Sequence, residues 1–209
     1  SRSAEVMLVL EQFSLPPGTT LTFTLTCTLL SGEASKSRIS VVTNAPPLPG
    51  NFVVSPSTGE ELSQKFEFLA SQWNDDDLPV TYQYGFLGNS RRMMLVKARS
   101  ESAYVQSELP SGPMSSNHNL ECIASIFDSF NANVTITSFV NVLPKSDEAR
   151  ENIVLAKLED LLTKTFVPKN EAKVVNSLVV SIINGANCDL APNCVELNRL
   201  SCENSDHTC

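Results

Sequence analysis

The chain has 209 residues, 42% of them hydrophobic, and its 23 acidic residues outnumber its 15 basic ones to give a net charge of −8. This length and apolar content suit one or two domains with buried cores and exclude a disordered tail. The largest Lys/Arg cluster is Arg91-Arg92. Because a phosphate backbone would find little to bind, we exclude nucleic-acid binding.

A membrane-spanning segment is not predicted. The densest apolar run, VVNSLVVSII at 174–183, is shorter than the roughly 18 residues that a helix needs to cross a bilayer. The chain starts SRSAEV, without an initiator Met or a signal-type apolar core. We therefore expect a processed protein or a piece of a longer one, with any membrane anchor elsewhere.

Residues 6–43 show the alternation of a half-buried sheet, in the runs VMLVLEQF, TLTFTLTCTLL and SRISVVTN. These strands are too few for a complete sandwich, so residues 1–43 are predicted to be the C-terminal part of one. The next stretch, TNAPPLPG, carries three prolines and a glycine. Prolines interrupt a sheet ladder and favour extended geometry, so residues 44–50 are predicted to form a linker.

Residues 51–143 contain seven short strand-like runs separated by turn residues. They read NFVVSP, QKFEFLASQW, VTYQYGFL, RMMLVKA, SAYVQSEL, LECIASIF and NVTITSFVNVL. This number and spacing are typical of a fibronectin type III-like or immunoglobulin-like sandwich. The expected fold class is therefore mainly β with a C-terminal α segment.

The stretch WNDDDLPVTYQYGF at 73–86 contains the only tryptophan and an acidic run. We expect Trp73 to turn inward as a core anchor with Tyr82 and Tyr84 on the next strand. Asp75, Asp76 and Asp77 then form the polar turn between two strands. The competing hypothesis is a calcium site, for which adjacent aspartates supply only some of the six or more oxygens required.

From Pro144 the periodicity becomes helical. SDEARENIVLAKLEDLLTK begins with Ser146 as an N-cap, and EAKVVNSLVVSIING follows with Asn170 as a second cap. Residues 144–209 are therefore predicted to be a helical hairpin with a Cys-rich tail. We expect the apolar stripes of the two helices to pack against each other.

Six cysteines suggest an oxidising compartment, because four of them crowd into the last 22 residues: Cys188, Cys194, Cys202 and Cys209. Their spacing does not match a zinc knuckle, so we interpret them as disulfide candidates whose pairing stays open. Cys27 and Cys122 are either free core thiols or bonded, for instance to each other. Asn133 begins an Asn-Val-Thr triplet, an acceptor for N-glycosylation, which supports the same compartment.

No catalytic motif is apparent. The only histidines, His118 and His207, lie in polar, loop-like stretches, where a surface histidine is the commoner explanation. We expect no enzyme, no catalytic residue, no metal and no cofactor, with calcium at the acidic run as the exception to be tested.

The run from Thr43 to Phe86 resembles the core of the receptor for egg jelly (REJ) module. It has a TN-PP-G linker, an SP-SG-like turn with Thr58 in place of the commoner serine, a tryptophan, an acidic D-D-LP turn and a Tyr/Phe strand. The matching residues are Thr43, Asn44, Pro46, Pro47, Gly50, Ser55, Pro56, Gly59, Phe66, Trp73, Asp75, Asp77, Leu78, Pro79 and Tyr82. A looser resemblance continues to about residue 143.

The REJ family includes the polycystins and related sperm-surface proteins, in which the module is extracellular and built from fibronectin-like sandwiches. The resemblance implies a non-catalytic structural and interaction module on a cell or ciliary surface, as a membrane-protein ectodomain or a secreted glycoprotein. Its expected partners are other extracellular proteins or glycans. The alternative is a calcium-dependent or carbohydrate-binding adhesion domain in which Asp75–Asp77 and the loop 110–119 bind metal or sugar.

Overall fold

The computed structural model describes residues 5–11, 14–88, 91–164, 167–183 and 192–199. The chain divides into two compact units, Ser1–Pro46 and Pro47–Cys209. The boundary falls inside the predicted linker 44–50, whereas the sandwich and the helices, predicted as separate segments, share the second unit. The main architecture, a β-sandwich with two C-terminal helices, is as the sequence predicts.

The first unit contains a single antiparallel hairpin, β1 (Thr20–Thr28) and β2 (Ala34–Val42). Two predictions for this segment are wrong. Residues 5–11 form no strand, and the sheet is not half-buried, because every residue of β2 is exposed. A two-stranded ribbon without a second layer in its own unit has nothing to cover its apolar face, which explains the exposure.

The second unit contains two sheets whose strands alternate in the chain. Its strands are β3 (Asn51–Ser55), β4 (Thr58–Glu60), β5 (Lys65–Ser71), β6 (Thr81–Leu87), β7 (Met93–Ser100), β8 (Tyr104–Glu108), β9 (Asn119–Phe127) and β10 (Asn133–Leu143). One sheet has the order β4-β10-β9-β6-β7 and the other β3-β5-β8. All seven predicted strands are present, and β4 is an eighth that the sequence does not reveal.

β4 was predicted as a turn because three residues are too few to show alternation. It pairs in parallel with residues 141–143 of β10, so the chain leaves the three-stranded sheet after β3 and joins the other sheet. Gly59 is required there, since an added Cβ would lie 2.7 Å from Gln64 Cγ and 2.8 Å from Phe66 Cζ.

The predicted linker packs partly on the sandwich. Pro47 is fully buried, and Leu48 N donates to Asn74 O at 2.8 Å. An added Cβ on Gly50 would lie 2.3 Å from Ser71 O, so the backbone can approach so closely only with glycine. Residues 47–50 are therefore part of the second unit rather than a free spacer.

The core lies between the two sheets and is rich in aromatic rings. Phe52, Phe68 and Tyr84 form a triangle with ring centroids 6.0 to 6.2 Å apart, and Tyr82 stacks on Tyr84 with an interplanar angle of 4°. Such offset and edge-to-face arrangements add to the free energy gained from burial alone. This cluster holds the two sheets together.

Tyr84 has a buried hydroxyl without a hydrogen-bond partner among the described residues. The nearby backbone donor, Ala70 N–H, is already donated to Ala103 O at 3.0 Å. Removing an unsatisfied buried hydroxyl relieves its desolvation cost, so Tyr84→Phe should raise the free energy of unfolding by about 1 kcal/mol. Urea denaturation would measure the change, and a loss of stability would reveal a bound water or partner.

Two helices follow the sandwich, α1 (Asp147–Thr163) and α2 (Lys169–Ile183). Ser146 Oγ accepts from Ala149 N at 3.4 Å, which places the cap where the sequence predicts it. α2 begins at Lys169, after Pro168, which is one residue before the position of the predicted cap, Asn170. A proline suits the start of a helix because its missing N–H would be unpaired there in any case.

The helices pack on the sandwich, which corrects the prediction that their apolar stripes meet mainly each other. Val154, Leu178 and Val179 belong to the same buried cluster as the strands. α2 lies against the edge strand β7, where Leu95 N donates to Ser177 Oγ at 3.2 Å. Neither helix is long and apolar enough to cross a membrane, nor is any other helix of the described ranges.

Glu61 connects the sandwich to the start of α1. Its side chain is 1% exposed, and its carboxylate accepts from Ser111 N at 3.1 Å, Lys145 N at 2.7 Å and Arg150 Nε at 2.9 Å. A buried carboxylate is tolerable only when its oxygens are paired in this way. Nothing in the sequence pattern distinguishes Glu61 from its exposed neighbour Glu60.

Candidate functional site

Three carboxylates converge at one end of the sandwich. β6 and β9 are antiparallel neighbours, and the pair Thr81↔Phe127 places the turn before β6 beside the turn after β9. Ser129 N donates to Asp77 O at 3.0 Å and joins the two turns. As a result, carboxylate oxygens of Asp75, Asp77 and Asp128 lie within 4.8 Å of one another. We call these three residues the acidic corner.

Two members of the acidic corner shape their own turns. Asp75 Oδ1 accepts from Asp77 N at 2.8 Å, and Asp128 Oδ1 accepts from Ala132 N at 2.9 Å. Short polar side chains commonly bond the backbone of a turn in this way. Among the described residues, no backbone N–H of a turn donates to the Asp77 carboxylate, so this side chain contributes least to the turn structure.

The predicted set of Asp75, Asp76 and Asp77 is therefore wrong in one member. Asp76 is exposed and lies outside the group. The third carboxylate of the group is that of Asp128. It is fully buried at 0% exposure and 51 residues further along the chain than Asp77, so only the pairing of β6 with β9 brings it near.

Arg99 holds the acidic corner from β7. Its guanidinium donates to Thr81 Oγ1 at 2.6 Å, Asn131 Oδ1 at 2.5 Å and Asp128 O at 2.8 Å. It also lies 4.5 Å from the centre of the Phe127 ring, within the range of a cation–π contact. These contacts bind the guanidinium to a carbonyl and two side-chain oxygens, and they stiffen the turn that presents Asp128.

The electrostatics of the acidic corner favour a proton or a cation. Partial burial raises the pKa of the Asp77 carboxyl above its ordinary value of 3.8, and the carboxylates of Asp75, Asp128 and Asp76 raise it further. Like charges at this separation disfavour full ionisation. A divalent cation would relieve the same repulsion, since hard cations bind carboxylate oxygens.

Asp77→Asn should stabilise the metal-free protein at neutral pH. The folded state holds the Asp77 proton to higher pH than the unfolded state, so stability falls as pH rises from about 3.8 through the raised pKa. Asparagine does not ionise, so the variant does not lose this stability as the pH rises. The melting temperature of Asp77→Asn should exceed that of the wild type at pH 7, and the gap should close below pH 3.8; equal melting temperatures at pH 7 would contradict the repulsion.

The loop 110–119 cannot share a site with the acidic corner. It precedes β9, whereas Asp128 follows it, and the nine residues of β9 separate the two ends by roughly 26 Å at the usual rise per residue. The loop contains a short 3₁₀ turn, Met114–Ser116, and His118 Nδ1 lies 3.2 Å from Gly112 O. A metal ion or sugar bound at one of the two places would therefore not contact the other.

Trp73, the predicted core anchor, is 9% exposed, and its indole Nε1 donates to Asn51 O at 3.1 Å. Tyr82 and Tyr84 are buried in the same cluster. The indole thus belongs to the buried core and is not exposed on a groove. A buried tryptophan that satisfies its single donor is a structural residue.

The cysteines and Asn133 take different positions. Cys27 and Cys122 have free thiols, the first exposed and the second buried, and burial raises the pKa of the Cys122 thiol to about 12. Cys122 is therefore a free core thiol, one of the two alternatives, whereas Cys27 is free but exposed, so the prediction that it lies in the core is wrong. Cys194 is buried, while Cys188, Cys202, Cys209 and His207 lie outside the described residues. Asn133 is exposed at the start of β10.

Comparison with known proteins identifies the family. The model of the REJ domain matches residues 1–180, and a comparison with curated proteins found no match. Among solved structures, this chain is similar to the PKD1 domain of Vibrio anguillarum Epp. The alignment covers 49% of this chain and 99% of that domain's chain, with 15% sequence identity and a TM-score of 0.32. Because the REJ model covers most of the chain, this protein belongs to the REJ domain family.

Proposed function

We propose that this chain is a non-catalytic extracellular module of a polycystin-like REJ protein, which acts in structure and interaction on a cell or ciliary surface. Family membership supports the type of module. The observation that carries the proposal is the joint at Glu61, where one buried carboxylate binds both the sandwich and the start of α1. A sandwich and helices held in this way can pass position or force to neighbouring segments.

The architecture fits an interaction module better than an enzyme. The aromatic core is filled by side chains, and two of the three carboxylates of the acidic corner, Asp75 and Asp128, accept backbone N–H groups of their turns. General acid–base catalysis needs a group within hydrogen-bond reach of a bound substrate and a cleft that holds it. A rigid module instead offers loops and strand faces to other proteins or glycans.

Antibody labelling tests the location. Fab fragments raised against residues 47–183 should label intact, unpermeabilised cells that make the protein, and mild surface proteolysis should remove the label. An antibody to a cytosolic marker serves as the control for intact membranes. Labelling that requires permeabilisation would overturn the proposal.

Calcium-dependent adhesion is a second candidate function, favoured by the convergence of Asp75, Asp77 and Asp128. Three carboxylates supply part of a calcium shell, and backbone carbonyls of the two turns and water would complete it. In this function, calcium would tie the turn before β6 to the turn after β9. The carbohydrate-binding form of the alternative has no comparable support among the described residues.

The chain offers a matched pair of variants for this question. Asp77→Asn and Asp76→Asn each remove one negative charge, from adjacent positions of the same turn, but only Asp77 belongs to the acidic corner. If calcium binds, it should raise the melting temperature of the wild type and of Asp76→Asn, and not that of Asp77→Asn. An unchanged melting temperature of the wild type in millimolar calcium would refute this function.

A further inference from the structure

One side of β10 is an open sheet edge. β10 pairs with β9 from Asn133 to Asn141, but on its other side it pairs with β4 only from Asn141 to Leu143. β3 of the facing sheet approaches β10 but pairs only with β5. Over residues 133–140, the outer edge of β10 therefore has no strand partner within the described ranges. Such an edge is a template for pairing with another chain.

The composition of β10 makes this open edge prone to aggregation. Its eleven residues, NVTITSFVNVL, include no charge, no proline and no glycine, and Phe139 is 62% exposed. Uncharged segments of high β-propensity are those that pair edge to edge and aggregate. Proteins usually protect an open edge with lysine, proline, a bulge or a covering element. β10 contains neither lysine nor proline.

The opposite edge of the same sheet is protected in a way that β10 is not. α2 lies along β7, and Ser177, which is 8% exposed, accepts the hydrogen bond of Leu95 N. A covering helix that also takes up an edge N–H is an effective block against another strand. In the described ranges, no helix accepts a hydrogen bond from the outer edge of β10 in this way.

Asn133 stands at the start of this open edge. It is exposed and begins the only Asn-x-Ser/Thr triplet of the 209 residues with a residue other than proline in the middle. Along β10, Val134, Ile136 and Val140 pack on or in the core, so Asn133, Thr135 and Thr137 share the outward face. A group attached to Asn133 would extend over that face and past the open edge.

We propose that Asn133 carries an N-linked glycan that covers the open edge of β10 and keeps the chain from associating edge to edge. The inference rests on the proposed extracellular location. The donor is an oligosaccharide on a lipid pyrophosphate. The Asn133 amide nitrogen bonds to the anomeric carbon of the first sugar, the bond from that carbon to the phosphate oxygen breaks, and the amide loses a proton as the lipid pyrophosphate leaves.

The hydrogen bond of Thr135 bears on whether the sugar is added before or after β10 pairs with β9. Thr135 Oγ1 lies 3.1 Å from Ser125 Oγ in the folded chain, so the hydroxyl that an acceptor triplet needs is engaged with β9. This contact favours addition of the sugar before β9 and β10 pair. Because the Asn133 side chain faces outward, the attached glycan does not disturb the core when the strands close.

The first experiment tests the modification. The 209-residue chain, secreted from a eukaryotic cell, should carry one glycan, seen as a mass that falls after peptide-N-glycosidase treatment. Asn133→Gln and Thr135→Val should both lack the glycan, whereas Thr135→Ser, which keeps the triplet, and Thr137→Val, which lies outside it, should retain the glycan. A secreted wild-type chain without a glycan would overturn the proposal.

The second experiment tests the role of the glycan. Light scattering over a range of concentrations should show a monomer for the glycosylated chain and a rising average mass for folded Asn133→Gln. Asn133→Gln is preferable to enzymatic removal of the glycan, because peptide-N-glycosidase converts the glycosylated asparagine to a charged aspartate. The double variant Asn133→Gln/Thr137→Lys should return to the monomer, because a lysine on an open edge resists pairing. A monomeric Asn133→Gln at all concentrations would overturn the covering role.

Failure of this inference is distinguishable from failure of the proposed function. Forced secretion tests whether Asn133 is an acceptor wherever the protein normally resides, while surface labelling of the cells that make it tests location. Surface labelling without a glycan would refute the inference alone. A glycan on the secreted chain together with an intracellular native protein would refute the proposed function, and with it the covering role in the cell.

Discussion

Glu61→Ala should lower the free energy of unfolding by about 3–5 kcal/mol, the range observed when one partner of a buried ion pair is removed. The carboxylate is buried and accepts from two backbone N–H groups and from Arg150. Alanine would leave all three donors without this acceptor and would remove the charge of Glu61 from beside the guanidinium. Equilibrium unfolding in urea, followed by the single tryptophan, would give the value.

Glu60→Ala is the matched control for that result. Its carboxylate forms an ion pair with Lys145 at 2.7 Å, but its side chain is 64% exposed, and exposed ion pairs contribute little. Its effect should therefore be small. Glu61→Gln should lie between the two, because it keeps one acceptor oxygen and loses the charge. Equal effects of Glu60→Ala and Glu61→Ala would show that the joint does not depend on the buried carboxylate.

Trp73→Ala should lower the free energy of unfolding by about 3–5 kcal/mol, as removal of a large buried aromatic side chain does elsewhere. The indole is 9% exposed and donates to Asn51 O at 3.1 Å. Its loss would leave a cavity in the core and remove the hydrogen bond to Asn51 O. Circular dichroism should follow the unfolding, because the variant has no tryptophan to report it.

Phe139→Ala provides the comparison for Trp73→Ala. It also removes an aromatic ring, but from a side chain that is 62% exposed, so its effect on stability should be much smaller. Trp73→Phe, which keeps most of the apolar contact and loses the hydrogen bond, should fall between them. In the wild type, the emission of Trp73 should be blue-shifted and weakly quenched by iodide; strong quenching would place the ring at the surface.

Local patterns predicted the strands and helices well, because the spacing of apolar residues within a segment indicates which of its side chains are buried. In β5, Phe66, Phe68 and Ala70 are buried while the residues between them are exposed, and this alternation is visible in the sequence. Ser146 likewise marked the start of α1, since a cap depends on neighbours three residues away. These elements could be predicted without knowledge of the fold.

Errors appeared where the outcome depends on residues far apart in the chain. The apolar alternation of residues 6–43 predicted a buried face, but a pattern cannot say whether a second layer is present, and β2 is exposed throughout. β4 was missed because its three residues are a strand only beside residues 141–143. The stripes on the helices indicated burial, but not that β7 would be the surface that covers α2.

The sequence by itself determined the fold class, the positions of most strands and both helices, the inward tryptophan and the acceptor triplet at Asn133. Tertiary structure decided which acidic residues meet, since Asp128 joins Asp75 and Asp77 only through the pairing of β6 with β9. It also decided that Glu61 is buried and that β10 has an open edge. Periodicity reports burial along one segment, whereas a site or an edge depends on which segments become neighbours.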